Sequence, residues 1–315
     1  MGELAALLSA MVWAATSVML TSLTARTPPI VLSGLRLTIG SVALAGMLLV
    51  SGQFHSYGDA TLLGLLGVMG SGFLGYAFGD TLYIRVLGLL GLQKAFPISM
   101  ALYISMTVAG GIVILGEPFK WGLPLGAFLI GAGIVLIVVP GAREPAQPLT
   151  VVPPVEPALS AFDDLPHTTS SQPHPMLGYA LLILVGVFWA AATLWLAAAR
   201  GNLEPIATGA IRAPAGGLAL LAFALVTRPA AVRAPFSRRA TILGIAAAGL
   251  IGTAFGSLMY VYAVGEAGAA RTAVLSATAP LMGLPLSMLF LRERFTRRIA
   301  LGTLFCVAGI LAVVA

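Results

Sequence analysis

The chain has 315 residues, 59% of them hydrophobic and only 9% charged, with a formal net charge of +6. Its mean hydropathy is +1.00. So few charges do not cover the surface of a soluble domain, which excludes that class, and the basic excess then reports orientation in a membrane and not nucleic-acid binding.

Apolar runs near 20 residues recur along almost the whole chain, and ~20 residues at ~1.5 Å of rise each cross a ~30 Å hydrocarbon core. We read ten spans, at 4–24, 29–51, 61–86, 91–115, 121–140, 176–199, 205–227, 240–264, 269–291 and 296–315. The first follows only Met-Gly-Glu, lacks a basic leader and reads as a retained helix. Most connections are short and built on turn signals such as "RTPP" and "GNLEP". One is different. Residues 141–175 are rich in proline and polar residues, and such a segment is expected to run extended or disordered. It divides the chain into 1–140, a linker, and 176–315, with five spans on each side.

The two sides repeat one another. Trp13 and Trp189, Pro29 and Pro205, Arg36 and Arg212, and Glu117 and Glu293 are all 176 residues apart. "GFLGYAFGDTLY" from Gly72 aligns with "GLIGTAFGSLMY" from Gly249 at a spacing of 177, with six of twelve positions identical. Lys94 and Arg271 share that spacing, and Gly126/Gly302 and Gly133/Gly309 return to 176. Trp, Arg and Glu are scarce in such helices, so their matches carry more weight than Ala or Gly matches. Five spans is an odd number, so the second copy enters the membrane from the opposite side. The expected architecture is therefore an all-α integral membrane protein of two inverted five-helix repeats, which allows a central site to open to either face.

These residues resemble a known family. Five-span halves, each with a basic residue early in the second span ("LSGLRLTIG", "GAIRAPAGG") and a glutamate after the fourth ("LGEPFKWG", "LRERFTRR"), resemble the EamA-type branch of the drug/metabolite transporter superfamily. Within it the chain looks closest to bacterial amino-acid and metabolite exporters of the YddG kind. The resemblance implies a multi-pass protein of the bacterial inner membrane. It implies export of small metabolites, amino acids or related amphipathic compounds, by alternating access, with no cofactor. One departure stands out: Pro280 precedes Glu293 by thirteen residues, whereas the first half has Ile104 there and its proline earlier, at Pro97.

Loops on the linker face hold Arg26, Arg85, Arg143, Arg228, Arg233, Arg238, Arg239, Arg292, Arg294, Arg297 and Arg298, against Lys120 and Arg200 on the face bearing the termini. This bias favours a cytoplasmic linker. The layout sends Arg36, Lys94 and Glu293 toward the linker face, and Arg212, Arg271 and Glu117 toward the terminal face. These six are the gating candidates: Glu293 with Arg36 or Lys94, and Glu117 with Arg212 or Arg271. The alternative for each is snorkelling or helix capping. Asp80 is the one carboxylate well inside a span, and Ser257 is its repeat mate. It is a proton-coupling candidate, or else an interfacial residue paired with Arg85. The first and sixth spans lack a central acid, which favours a neutral or zwitterionic substrate and weak coupling.

The expected pocket lining is Trp13, Tyr76, Tyr83, Ser99, Tyr103, Trp189, Trp195, Tyr260, Ser276 and Thr278, with Met100 and Met282 as adaptable apolar lining. Gly72, Gly75 and Gly79, and their mates Gly249, Gly252 and Gly256, form small-residue stripes suited to close helix packing. Cys306 is the sole cysteine and His55, His167 and His174 sit in loops, so neither a metal site nor a catalytic triad is expected. That argues against an enzyme. Short loops argue against a sensor or assembly factor. A bilayer, a small-molecule substrate and a functional monomer are the expected context, with no nucleic acid.

Overall fold

The computed structural model describes residues 1–24, 26–90, 92–138, 175–279 and 297–314. Among them every regular element is helical and there is no strand. In chain order the main helices are α1 (Gly2–Thr24), α2 (Pro29–Ser51), α3 (Leu62–Leu90), α4 (Leu92–Val113) and α5 (Gly122–Val138). They are followed by α6 (Pro175–Ala199), α7 (Pro205–Thr227), α8 (Arg239–Ala267), α9 (Ala269–Ser276) and α10 (Arg297–Val314). Six of these, α1, α2, α3, α6, α7 and α8, are long and apolar enough to cross a membrane. The remainder are shorter within the described residues. The third expected span runs on to Leu90, so the break expected near residue 86 is helix. Nearly all of the 141–175 segment lies outside the described residues, as do Pro280, Met282 and Glu293; so does the side chain of Lys94.

Local chemistry sets the helix ends. Pro29 and Pro205 start α2 and α7, where a missing N–H is harmless and φ is already helical. Gly52 ends α2 in the left-handed conformation, φ 69°, and its N–H closes on the Leu48 carbonyl. Thr61 caps α3 by accepting from the Gly64 N–H at 3.1 Å. Inside α3 and α8 the hydrogen-bond ladder changes to π-helical, over Phe73–Asp80 and Ala248–Gly256. Such segments rotate the side chains that follow them and concentrate at functional sites.

Packing is reciprocal between the segments before and after the 139–174 stretch. A Cβ on Gly72 would strike the Arg212 carbonyl, and one on its mate Gly249 would strike the Arg36 carbonyl. Gly75 faces Ala192 and Gly252 faces Thr16, residues that are themselves 176 apart. In α5 and α10, Gly126 lies against the Gly309 carbonyl and Gly133 against the Gly302 carbonyl. Gly34 and Gly217 bring the backbones of α2 and α7 together in the same way. Without water to drive association, close van der Waals fit of this kind holds helices together in lipid. The outward faces carry Leu63, Phe128, Phe223 and Leu304, all exposed, as a lipid-contacting surface requires.

Candidate functional site

Where the two π-helical segments meet α1, α2, α6 and α7, a cavity of about 30 Å³ remains. It has room for ordered water but not for a metabolite. Its wall is built from Trp13, Arg36, Asp80, Trp189, Thr193, Arg212 and Tyr260, among others, and so draws on both sides of the 139–174 stretch. A second cavity of about 40 Å³ adjoins it and shares Trp13, Arg36, Asp80 and Trp189. It extends along α1 past Ser17 and Leu20 to Tyr83 and Ile84, toward the end of α1 that connects to α2.

Each polar side chain reaches the centre for a local reason. Arg36 and Arg212 are seven positions into α2 and α7. That depth is ~10 Å, and a long side chain covers the remaining distance to the midplane. Both are nearly fully buried. Arg36 forms an ion pair with Asp80 and donates from Nη1 to Thr253 Oγ1 at 3.3 Å. The other Asp80 oxygen accepts from Trp189 Nε1 at 2.8 Å. Arg212 donates from Nε to Ser71 Oγ at 3.2 Å and from Nη1 to the Tyr76 hydroxyl at 2.8 Å. Its guanidinium lies over the Tyr76 ring at 4.5 Å and near the Tyr260 ring at 5.7 Å. Tyr76 is also hydrogen-bonded to Ser257. A hydroxyl cluster of Tyr103, Tyr260 and Thr193 completes the wall, with the two tyrosines 2.7 Å apart.

The aromatic lining follows the repeat. Tyr260 stacks on Trp13 at 5.7 Å, and its mate Tyr83 packs on Trp189, the mate of Trp13, at 5.0 Å. The two indoles meet at 5.6 Å.

At one end of the bundle, contacts join the same two sets of helices. Glu117 accepts from the Ala269 and Ala270 N–H groups at 2.7 and 3.0 Å, capping α9. Gly268, at φ 83°, makes that approach possible, since a Cβ there would lie 3.0 Å from Glu117 Oε1. Arg271 donates to Glu3 at 2.9 Å. Tyr57 donates to the Ala207 carbonyl, and Gln53 accepts from the Ile206 N–H. His55 and Glu204 are 3.1 Å apart. At the opposite end Arg26 is pulled below its ordinary guanidinium value by burial and by the nearby Arg238 charge.

Several sequence expectations are redrawn by this geometry. Glu117 does not pair with Arg212 or Arg271: it caps α9, Arg271 takes Glu3, and Arg212 is buried among hydroxyls. Arg36 takes Asp80, so Asp80 is neither interfacial nor paired with Arg85. Trp195 is half-exposed and covers Gly67 and Gly70 of α3; six residues beyond Trp189 it has turned by about 240° around the helix. Ser276 contacts Ser9 at 3.4 Å and Thr278 donates to its own helix at Leu275. Both are buried away from the cavity, as are Ser99 and Met100. Trp13, Tyr76, Tyr103, Trp189 and Tyr260 do line it, with Arg36, Asp80 and Arg212. Tyr83 lines its neighbour. Sequence reasoning missed Ser71, Thr193, Thr253 and Ser257. The repeat held a signal for two of them, since Thr253 and Ser257 are the mates of Tyr76 and Asp80.

A family model described as the EamA-like transporter family matches residues 1–139 and again residues 176–315. No curated protein matches. A solved crystal structure of a protein with no further description is similar in fold, with a TM-score of 0.70 at 19% identity, over 99% of this chain and 96% of that one.

Proposed function

The chain belongs to the EamA-like transporter family, and from that premise we propose a ten-helix secondary transporter that exports small amphipathic metabolites, amino acids above all, by alternating access. It resembles YddG-like exporters of the bacterial inner membrane in this reading. The functional units are residues 1–140 and 176–315, two inverted repeats joined by the 141–175 linker, and one monomer carries the whole site. The linker lies on the cytoplasmic side, as the arginine bias favours.

The observation that carries the proposal is the central cavity. Repeat mates from both segments line it, and their contacts are reciprocal: Arg36 with Thr253, Arg212 with Tyr76, Tyr83 with Trp189, Tyr260 with Trp13. Two near-equivalent arrangements of such a site, one open to each face, differ by little in free energy, which is what alternating access needs. The polar contacts at Glu117, Glu3 and Tyr57 close the terminal face, and the cavity beside Tyr83 marks the route to the linker face. The site then enlarges when the halves rock apart, because about 30 Å³ is too small for cargo. Asp80 is held by Arg36 and Trp189, so proton coupling through it requires one of them to leave. Glu293 and Lys94 remain candidates for closing the linker face.

The test is uptake and counterflow by the purified protein in liposomes, over a panel of amino acids and with or without a proton gradient. Saturable movement of at least one class supports the reading. Binding without any movement across the membrane contradicts it.

A further inference from the structure

We propose that Arg212 is the docking point for a carboxylate of the cargo, an inference that rests on the transporter reading and names the chemistry of its site. The argument begins with the repeat. Arg36 and Arg212 are mates, and each donates from Nη1 to the residue at the matching place in the other segment, Thr253 or Tyr76. Arg36 also has Asp80. The mate of Asp80 is Ser257, and its hydroxyl is taken up by Tyr76. Arg212 therefore has the position where a carboxylate would sit, but not the carboxylate.

Burial makes the vacancy consequential. Arg212 is 4% exposed, it has no acidic partner among the described residues, and its Nη2 donates to none of them. Rings and hydroxyls compensate part of the charge, which is why the residue is tolerated there. An unpaired guanidinium at membrane depth still seeks an anion. Nη2 borders the cavity at Gly75, where a Cβ would stand 3.4 Å from it; the glycine keeps the approach clear. The hydroxyls of Ser257, Tyr260 and Thr193 line the same spot and make it polar. Counting Arg36, Asp80 and Arg212, the described wall has one uncompensated positive charge. One carboxylate pairs with Arg212, whereas a phosphate dianion brings more charge than that place holds, so the favoured group is a single carboxylate; in a zwitterion the carboxylate takes Arg212 and the ammonium group turns toward Asp80 and the Trp13 face.

The test uses the full-length protein and leucine, phenylalanine and threonine beside their amides. Binding is read from the tryptophan fluorescence of Trp13 and Trp189, and transport from counterflow in liposomes. The expected result is acids bound at least ~10-fold more tightly than amides, as loss of a charge-assisted pair implies. Arg212→Gln removes that preference. Ser257→Asp, which supplies the missing acid from the protein itself, weakens acid binding by a similar factor and does not weaken binding of the amides, which are cations. Inorganic phosphate fails to compete. An unchanged acid-to-amide ratio in Ser257→Asp overturns the assignment, as does wild-type protein that treats acids and amides alike, or competition by phosphate at the affinity of the acids. Discrimination in binding with no counterflow leaves Arg212 in this role and contradicts the transporter reading instead.

Discussion

Arg36 and Arg212 occupy matching places in the two segments, yet one is paired with an acid and the other is not. Everything around them is close to reciprocal: a glycine presses on the carbonyl of each, and each donates to the other segment. The difference in charge is Asp80 against Ser257; Tyr76 against Thr253, and Ser71 against Ala248, change neutral contacts only. A transporter built from two copies needs similarity, so that both open states are accessible, and it needs a difference, so that cargo has one orientation and the cycle has a resting state. In the cycle proposed above, the helix packing supplies the similarity and the Asp80 carboxylate supplies the difference in charge.

That comparison is broken most severely at Asp80. Asp80→Asn leaves Arg36 buried without its anion, and removing one partner of a buried pair costs ~3–5 kcal/mol. Thermal unfolding in detergent should show a large loss, and Ser257→Ala, at the matching place, should lose only ~1 kcal/mol. Combining Asp80→Asn with Arg36→Gln should recover part of the loss, because the orphaned charge is then gone. Equal losses for Asp80→Asn and Ser257→Ala would remove the asymmetry from the account.

The reciprocal packing predicts matched effects. Gly72→Ala and Gly249→Ala each push a methyl into a backbone carbonyl of the other segment, at a cost of ~1–3 kcal/mol apiece. The two should fall within ~1 kcal/mol of one another in the same unfolding assay. A tolerated Gly249→Ala beside a damaging Gly72→Ala would mean the segments do not pack alike.

Smaller effects sharpen the picture. Trp189→Phe keeps the ring against Tyr83 but removes the Nε1 donor to Asp80, an expected loss of ~1.5–3 kcal/mol for a hydrogen bond to a charged group. Glu117→Gln retains a weaker cap on α9 and should cost ~0.5–1 kcal/mol; in the proposed alternating-access cycle that shifts the equilibrium severalfold toward opening at the terminal face.

Much of this was legible in the sequence. Apolar length marks the helices, and the 176-residue spacing pairs Arg36 with Arg212 and Trp13 with Trp189. The glycine stripes read as packing surfaces: Gly72 and Gly249 meet backbone carbonyls, and Gly75, Gly79, Gly252 and Gly256 meet side chains. What the sequence hid was depth and rotation. Arg36 and Arg212 look like end-of-helix charges by position, but a side chain of that length set ~10 Å into a helix reaches the midplane. The partner of Arg36 is 44 residues away on a helix whose π-helical stretch turns Asp80 inward, and apolar periodicity does not report a change of hydrogen-bond register. Trp195 was misplaced for the same reason: composition shows an aromatic near Trp189, and only the angle around α6 shows that it faces outward.

One site serving both faces of the membrane, as proposed above, can be tested at a single position. Ala192 borders the cavity and Cys306, the sole cysteine, is buried in the α5–α10 contact, so a single reporter cysteine can be placed cleanly. Ala192→Cys on a Cys306→Ala background should react with a membrane-impermeant thiol reagent from the linker side. With Glu117→Gln added, reaction should also appear from the terminal side, and bound cargo should slow both. A cysteine at this position that reacts from one face alone, whatever the state of Glu117 and whatever cargo is present, would contradict the account.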